Sequence, residues 1–143
     1  MIRALNIKDA ARLAQIHEQS FEHAWSEAEM HTHLQKDLCF GYGRPVSGFV
    51  ILRASADQAE ILTLAVAPDM RRAGLALQIM DIAETELSEH GVDTLFLEVA
   101  EDNPSAIAFY KARAFEPIGR RPAYYKREGG RVAALTFRKR LLP

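Results

Sequence analysis

From the N-terminus, the short apolar run Ile2 to Leu5 gives way to Ala10, Leu13, Ala14, Ile16 and Phe21, which fall on one side of a 3.6-residue period. This predicts a strand followed by a helix. Ser26 and Glu29 have the S-x-x-E spacing of a capping box, whose hydroxyl and carboxylate satisfy free N–H groups at a helix start; a second helix is expected from there to about Gln35. Beyond Cys39 the period changes. Gly41, Gly43 and Pro45 punctuate a turn, and the β-rich runs Phe49 to Leu52 and Ile61 to Val66 are separated by Ser55, Asp57 and Gln58, which predicts an antiparallel meander. Helical spacing returns with Leu75, Ile79, Ile82, Ala83 and Leu87 and stops at Gly91, a residue suited to ending a helix. Leu95 to Val99 reads as a buried strand. Asn103 and Pro104 read as the N-cap and first residue of a helix through Ala112, and Phe115 to Gly119 and Val132 to Leu141 as closing strands.

The resulting order is β-α-α-β-β-β-α-β-α-β-β. Because a helix connects Ile61–Val66 to Leu95–Val99, those two strands are expected to be parallel. The fold class is α/β (α+β), a mixed, mostly antiparallel sheet of six to seven strands with helices on both faces. No repeat, linker or composition shift divides the chain, so residues 1–143 are expected to form one domain.

Composition narrows the setting. A hydrophobic fraction of 48% supplies a core, and no stretch approaches the ~20 apolar residues of a membrane helix. Met1 to Leu5 runs into a charged amphipathic segment without a signal-peptide pattern, so a cytoplasmic protein with no membrane association is expected. The single cysteine, Cys39, permits no internal disulfide framework and reads as a small buried hydrophobe more readily than as a catalytic thiol. With a net charge of -1 there is no overall basic field for nucleic acid. Charge is nevertheless uneven. Glu18, Glu22, Glu27, Glu29 and Asp37 cluster early and Arg120, Arg121, Lys126, Arg127, Arg131, Arg138, Lys139 and Arg140 late, as solvated faces or as an acidic lip for a basic substrate. His31 and His33 lie two apart on a helix and point in different directions, which argues against a metal site; His17, within the apolar face of the first helix, reads as a satisfied, partly buried histidine.

The informative stretch is Val66-Ala67-Pro68-Asp69-Met70-Arg71-Arg72-Ala73-Gly74-Leu75-Ala76, between a strand and a long helix. A helix start presents unpaired N–H groups and a partial positive charge, and the small residues Gly74 and Ala76 would let phosphate oxygens approach the backbone. Arg71 and Arg72 add charged donors at the same end. The string lacks the Gly-Lys-Ser/Thr ending of a P-loop and the G-x-G-x-x-G of a dinucleotide site. What remains is either a tight strand-to-helix turn or a pyrophosphate site of another kind.

Val66-x-Pro68-x-x-Arg71-x-x-Gly74-x-Ala76 resembles the acyl-CoA motif of the GCN5-related N-acetyltransferase superfamily, and the element order is similar to that fold. The resemblance implies that the strand before the motif splays from its neighbour and that backbone groups of Leu64 and Val66 meet the pantetheine and thioester of acetyl-CoA. A narrower resemblance runs through Trp25-Ser26, Leu97-Glu98-Val99, Asn103, Ala108-Phe109-Tyr110, Phe115 and Tyr124-Tyr125, to the bacterial ribosomal-protein-alanine N-acetyltransferases. It implies acetylation of a protein N-terminus, that of a small-subunit ribosomal protein.

Amine acetylation needs a base, because an α-amine of pKa near ~8 is mostly protonated at neutral pH. Alternation in Leu95-Phe96-Leu97-Glu98-Val99 sets Glu98 beside Phe96 and opposite its apolar neighbours, where it reads as an exposed strand residue or a base. The resemblance favours the base and assigns Tyr110, otherwise a packing aromatic, as the acid that protonates the CoA thiolate. Asn103 caps its helix and, by the resemblance, also meets the pantetheine arm. Tyr124 and Tyr125 are acceptor-binding residues or plain strand aromatics; Trp25 walls the peptide groove or anchors the helix pair.

Three departures from the family pattern stand out. Ala114 replaces a glycine before Phe115 at a helix end that favours φ > 0, Arg121-Pro122-Ala123 stands where Arg-Arg-Asn is usual, and Val132-Ala133 replaces an acidic pair. The last two touch the acceptor side. Acetylation of a small amine or a lysine, and a non-catalytic acyl-CoA-binding module, therefore remain as alternatives.

Overall fold

In the computed structural model, which describes residues 1–141, the chain runs β1 (Ile2–Ala4), α1 (Ala10–Glu18), α2 (Glu27–Lys36), β2 (Leu38–Tyr42), β3 (Gly48–Ser55), β4 (Gln58–Val66), α3 (Leu75–Glu89), β5 (Thr94–Ala100), α4 (Pro104–Ala112), β6 (Glu116–Arg127) and β7 (Gly130–Arg140). This is the predicted order. Leu142 and Pro143, at the end of the expected domain, lie outside the described residues. The strands form one sheet in the order β1-β2-β3-β4-β5-β7-β6, antiparallel throughout except for the parallel pair β4 and β5.

Helices cover both faces. Leu13 and Ile16 of α1 and Met30 of α2 pack on Phe49, Ile51 and Ala65, while Ile79, Met80 and Leu87 of α3 pack with Val50, Leu52, Leu95 and Phe137 on the other face, where Tyr110 of α4 joins them. The caps work as the sequence predicts. Ser26 Oγ accepts from the Glu29 N–H while Glu29 returns a carboxylate oxygen to the Ser26 N–H, so two otherwise free donors are satisfied at once.

One irregularity shapes the molecule. Ile51 pairs with Thr63 and Leu52 with Ile61, which leaves Leu62 as an extra residue in β4. This bulge reverses the alternation: Ala59 and Ile61 pack toward α3 before it, Leu64 and Val66 after it, and Ala65 turns toward α1. The parallel pairing with β5 ends at the same point, at Ile61 opposite Leu97. From Leu62 onward β4 leaves β5, which is the expected splay.

Several local expectations are corrected. Phe21 lies beyond the end of α1 and is 40% exposed, and His17 takes the buried place on that face. Ile82 of α3 is 42% exposed, and Met80 is the buried residue. Gly41 belongs to β2 rather than to a turn; a Cβ there would stand 2.9 Å from the Gly48 carbonyl oxygen, so glycine is required by close packing. Strand β6 runs to Arg127, well past the expected Gly119, because it bends through irregularities near Pro117 and between Arg121 and Tyr125 instead of stopping at its prolines.

Candidate functional site

Where β4 and β5 part, the sheet opens into a cleft of about 800 Å³ lined by the C-terminal halves of both strands, the start of α4, the segment after α1 and the end of β6. It brings together Trp25, Leu64, Val66, Arg71, Glu98, Asn103, Tyr110 and Tyr125. Arg72, Gly74, Ala76 and Tyr124 are not among its lining residues.

Beyond the bulge, Leu64 and Val66 have no pairing partner on β5, so this edge of β4 is available to an extended ligand. Arg71 is already engaged, however. Its Nε donates to the Val66 carbonyl at 3.0 Å and its Nη2 to Ser20 Oγ at 3.1 Å, tying the turn to the end of α1 rather than lying free at the helix start. The turn itself is strained toward the left-handed region at Arg72 (φ 64°) and Gly74 (φ 77°). A Cβ at Gly74 would meet nothing within 4 Å, so the glycine there serves conformation and leaves open space beside the unpaired N–H groups of the α3 start. Those groups and that space suit a phosphate.

Glu98 lies on the face of β5 opposite the α3 core, with Thr136 directly across on β7. The Thr136 hydroxyl donates to Glu98 Oε2 at 3.4 Å, and Arg121 Nε approaches the same oxygen at 3.1 Å. The sequence places Arg121 on the acceptor side but does not show that it meets Glu98. The contact depends on Arg121 pairing with Ala134 and Ala134 with Ala100, a register across three strands that no local spacing encodes. The same edge carries two further pairs, Arg120 with Glu101 and Arg127 with Asp102, each through two N–O contacts.

Tyr110 is fixed by the end of its own helix. Phe115 N–H donates to the Tyr110 carbonyl at 3.0 Å and Ala114 N–H to that of Lys111 at 3.1 Å, the paired bonds of a Schellman motif, and Ala114 takes φ 71° to make them. Burial pushes the phenol pKa well above its usual value, so Tyr110 carries its proton at neutral pH. Asn103 Oδ1 caps α4 by accepting from the Ala106 N–H at 3.2 Å. Tyr125 is half-buried, and burial together with the charge of Glu98 raises its pKa as well. Tyr124 is exposed and lies under the Arg121 guanidinium at 5.3 Å; both tyrosines are strand residues beside the irregularity in β6.

Across the cleft, Trp25 is stacked between His17 (4.8 Å) and His33 (4.4 Å), which anchors the helix pair and still leaves the indole on the cleft wall. The His17 ring is satisfied on both sides: Nδ1 accepts from the Trp25 N–H at 3.0 Å, and Nε2 therefore carries the hydrogen toward Thr63 Oγ1 at 3.1 Å. Burial lowers its pKa to about 4. Of the early acidic cluster, Glu22 lines the cleft, Glu29 is spent on its cap, and Asp37 holds His33 and Arg53. Burial opposes ionisation of Asp37, but hydrogen bonds from Arg53 and His33 outweigh it and keep the carboxyl below its usual range. Burial pushes the Cys39 thiol up to about 12, that of an unreactive packing residue. Among the described residues no group of three or more His, Cys, Asp or Glu is placed to hold a metal ion, and no helix is long and apolar enough to cross a membrane.

Known proteins are similar to this chain in sequence and in fold. The [Ribosomal protein bS18]-alanine N-acetyltransferase of Escherichia coli (strain K12) is 36% identical over 90 residues, a match that spans 63% of this chain and 61% of that relative. The enzyme of the same name from Haemophilus influenzae is 29% identical over 141 residues and 96% of both chains. Among solved structures, the ribosomal-protein-S18-alanine N-acetyltransferase from Escherichia coli superposes over 100% of this chain and 94% of its own with a TM-score of 0.93 and 28% identity. Arabidopsis thaliana NAA60 in complex with acetyl-CoA, at 21% identity, a TM-score of 0.84 and coverage of 98% and 97%, shares the fold. A profile of the Acetyltransferase (GNAT) family matches residues 10–115, from α1 through the parted strands to Phe115, and with the sheet order and the splayed β4 it shows that the chain belongs to that family.

Proposed function

We propose that this protein transfers the acetyl group of acetyl-CoA to the N-terminal α-amino group of a protein, with an N-terminal alanine of a ribosomal protein as the acceptor class. The observation that carries this reading is the opening of Glu98 and Tyr110 onto one cleft at the point where β4 leaves β5. Family membership supports the acetyl donor, and the names of the relatives support the acceptor. On this reading the chain is a single domain that acts in the cytoplasm, where ribosomal proteins are made.

The chain's residues divide the work. The free edge of β4 at Leu64 and Val66 takes the pantetheine arm, Asn103 meets it from the start of α4, and the N–H groups beside Gly74 and Ala76 receive the pyrophosphate, with Arg72 adding charge. Arg71 joins them by releasing the Val66 carbonyl. Trp25, Tyr124 and Tyr125 border the acceptor. Glu98 takes a proton from the acceptor ammonium; the amine nitrogen attacks the thioester carbonyl, a C–N bond forms and the C–S bond breaks. Tyr110 gives its proton to the departing sulfur and takes up the excess proton of the acylated nitrogen, by way of water, while Glu98 returns its own to solvent through the open cleft, which leaves a neutral amide and a free thiol.

The test is release of free thiol on mixing the protein with acetyl-CoA and a hexapeptide beginning Ala-Arg. Turnover with a mass gain of one acetyl group at the peptide's α-amine is expected. Tight binding of acetyl-CoA without turnover of any amine would leave a binding module, and faster turnover of a free polyamine would move the acceptor to small amines.

A further inference from the structure

Three arginines of β6 lace that edge strand to the end of β5, and they are not equivalent. Arg120 grips Glu101 and Arg127 grips Asp102 through two N–O contacts each. Arg121 approaches Glu98 with Nε 3.1 Å from Oε2, an ion-pair contact in place of its neighbours' two hydrogen bonds, with 61% of its side chain exposed against 19% for Glu98. Its guanidinium carbon lies 5.3 Å from the centre of the Tyr124 ring, and it stands at the irregularity in β6 that separates Arg121 from Tyr125. A singly held, largely exposed arginine over an aromatic face is an exchangeable partner, whereas its two neighbours are clamps.

Exchange matters because of what Glu98 is proposed to do. A guanidinium never gives up its proton, so one fixed beside a base lowers that base's proton affinity and repels an incoming ammonium. We infer that Arg121 is a placeholder: in the free enzyme it occupies the position beside Glu98 that the acceptor's ammonium takes in turnover, and on acceptor binding it gives up that contact and swings out into solvent. The inference rests on the reading of Glu98 as the base. Arg121 is thus a positioning residue that holds the Glu98 carboxylate aimed into the cleft while empty. Once it withdraws, the carboxylate is left to the acceptor's ammonium.

The groups around Glu98 leave this role to Arg121. From β7, Thr136 contributes a neutral donor; from β6, Tyr125 is half-buried and neutral; across the cleft, His17 is neutral and bonded to Thr63. Asp102 and Arg127, which also line the cleft, neutralise each other. Arg138, two residues along β7, is held by Glu116.

The test compares pH profiles with saturating acetyl-CoA and a hexapeptide with a free N-terminal alanine, for wild type, Arg121→Ala, Arg121→Gln and Arg121→Lys, with Arg120→Ala as a neighbouring control. The acidic limb of kcat/KM reports the free enzyme and that of kcat the acceptor complex. Removing the charge at Arg121 is expected to move the kcat/KM limb to higher pH by about one unit and to lower the peptide's KM several-fold, while the kcat limb stays in place. Arg121→Lys restores the wild-type limb, and Arg120→Ala leaves it unmoved. If both limbs move together, Arg121 stays beside Glu98 throughout; if neither moves, it does not act on Glu98. Either result overturns the placeholder role. Glu98→Gln in parallel separates the two readings: survival of rate and limb in that variant removes Glu98 as base, whatever Arg121 does.

Discussion

Tyr110 and Phe115 are joined twice, by a 3.0 Å hydrogen bond from the Phe115 N–H to the Tyr110 carbonyl and by an edge-on ring contact with centroids 5.4 Å apart. The residue between the helix end and Phe115 is Ala114, at φ 71°, where a Cβ is strained. Ala114→Gly removes that strain but loosens the unfolded chain, for a net gain of roughly 0.5–1 kcal/mol. Urea denaturation would show a higher midpoint at unchanged slope; a lower midpoint would mean that the alanine is at ease there.

Tyr110→Phe deletes only the hydroxyl and keeps both ring contacts. We expect kcat to fall about 100-fold while the melting temperature shifts by no more than a few degrees. A variant that is as fast as wild type would reduce Tyr110 to a packing residue.

Glu98→Gln keeps the shape and the Thr136 contact while losing the charge that Arg121 faces. The rate at neutral pH is expected to fall by about 100-fold or more with acetyl-CoA affinity nearly intact. Calorimetric titration with acetyl-CoA checks the second half: a matching loss of affinity would make Glu98 structural.

His17 couples folding to acidity. The unfolded chain protonates this imidazole near its usual 6.5, whereas the folded protein refuses the proton until about pH 4. Between those values the unfolded state binds more protons, so stability rises with pH through the window and is lost as acid is added, by an amount on the order of 2 kcal/mol. Replacing His17 with Gln should flatten the difference in unfolding free energy between pH 7 and pH 4.5; an unchanged slope would place the acid sensitivity elsewhere.

The order of elements was legible because caps and periods are local: Ser26 with Glu29, Asn103 with Pro104, and Gly91 each act within a few residues of themselves. Cleft residues were legible where a motif carries them, as with Glu98 and Asn103. Hidden features depend on pairing. Leu62 is a bulge only because Leu52 sits opposite Ile61, and Arg121 meets Glu98 only through β7. The expected strand stopped at Gly119, yet β6 is an edge strand, which tolerates the missing donors of Pro117 and Pro122 and runs on to Arg127. Phe21 and Ile82 fit their helical periods and still face water, since period fixes a direction and not what lies there.

The bulge at Leu62 also sets a lever. The two parts of the sheet pair from Gln58 opposite Thr94 to Ile61 opposite Leu97, with the Asp93 N–H donating to the Asp57 carbonyl just before, so this short stretch forms a fulcrum, with the α3 core continuous behind it. Glu98 lies one residue beyond the fulcrum, about 3.3 Å along the strand, and Ala100 about 10 Å. A rocking of roughly 10° would carry Ala100 about 1.7 Å and Glu98 only about 0.6 Å. The mouth can therefore widen to admit a peptide while the carboxylate, close to the pivot, stays almost still.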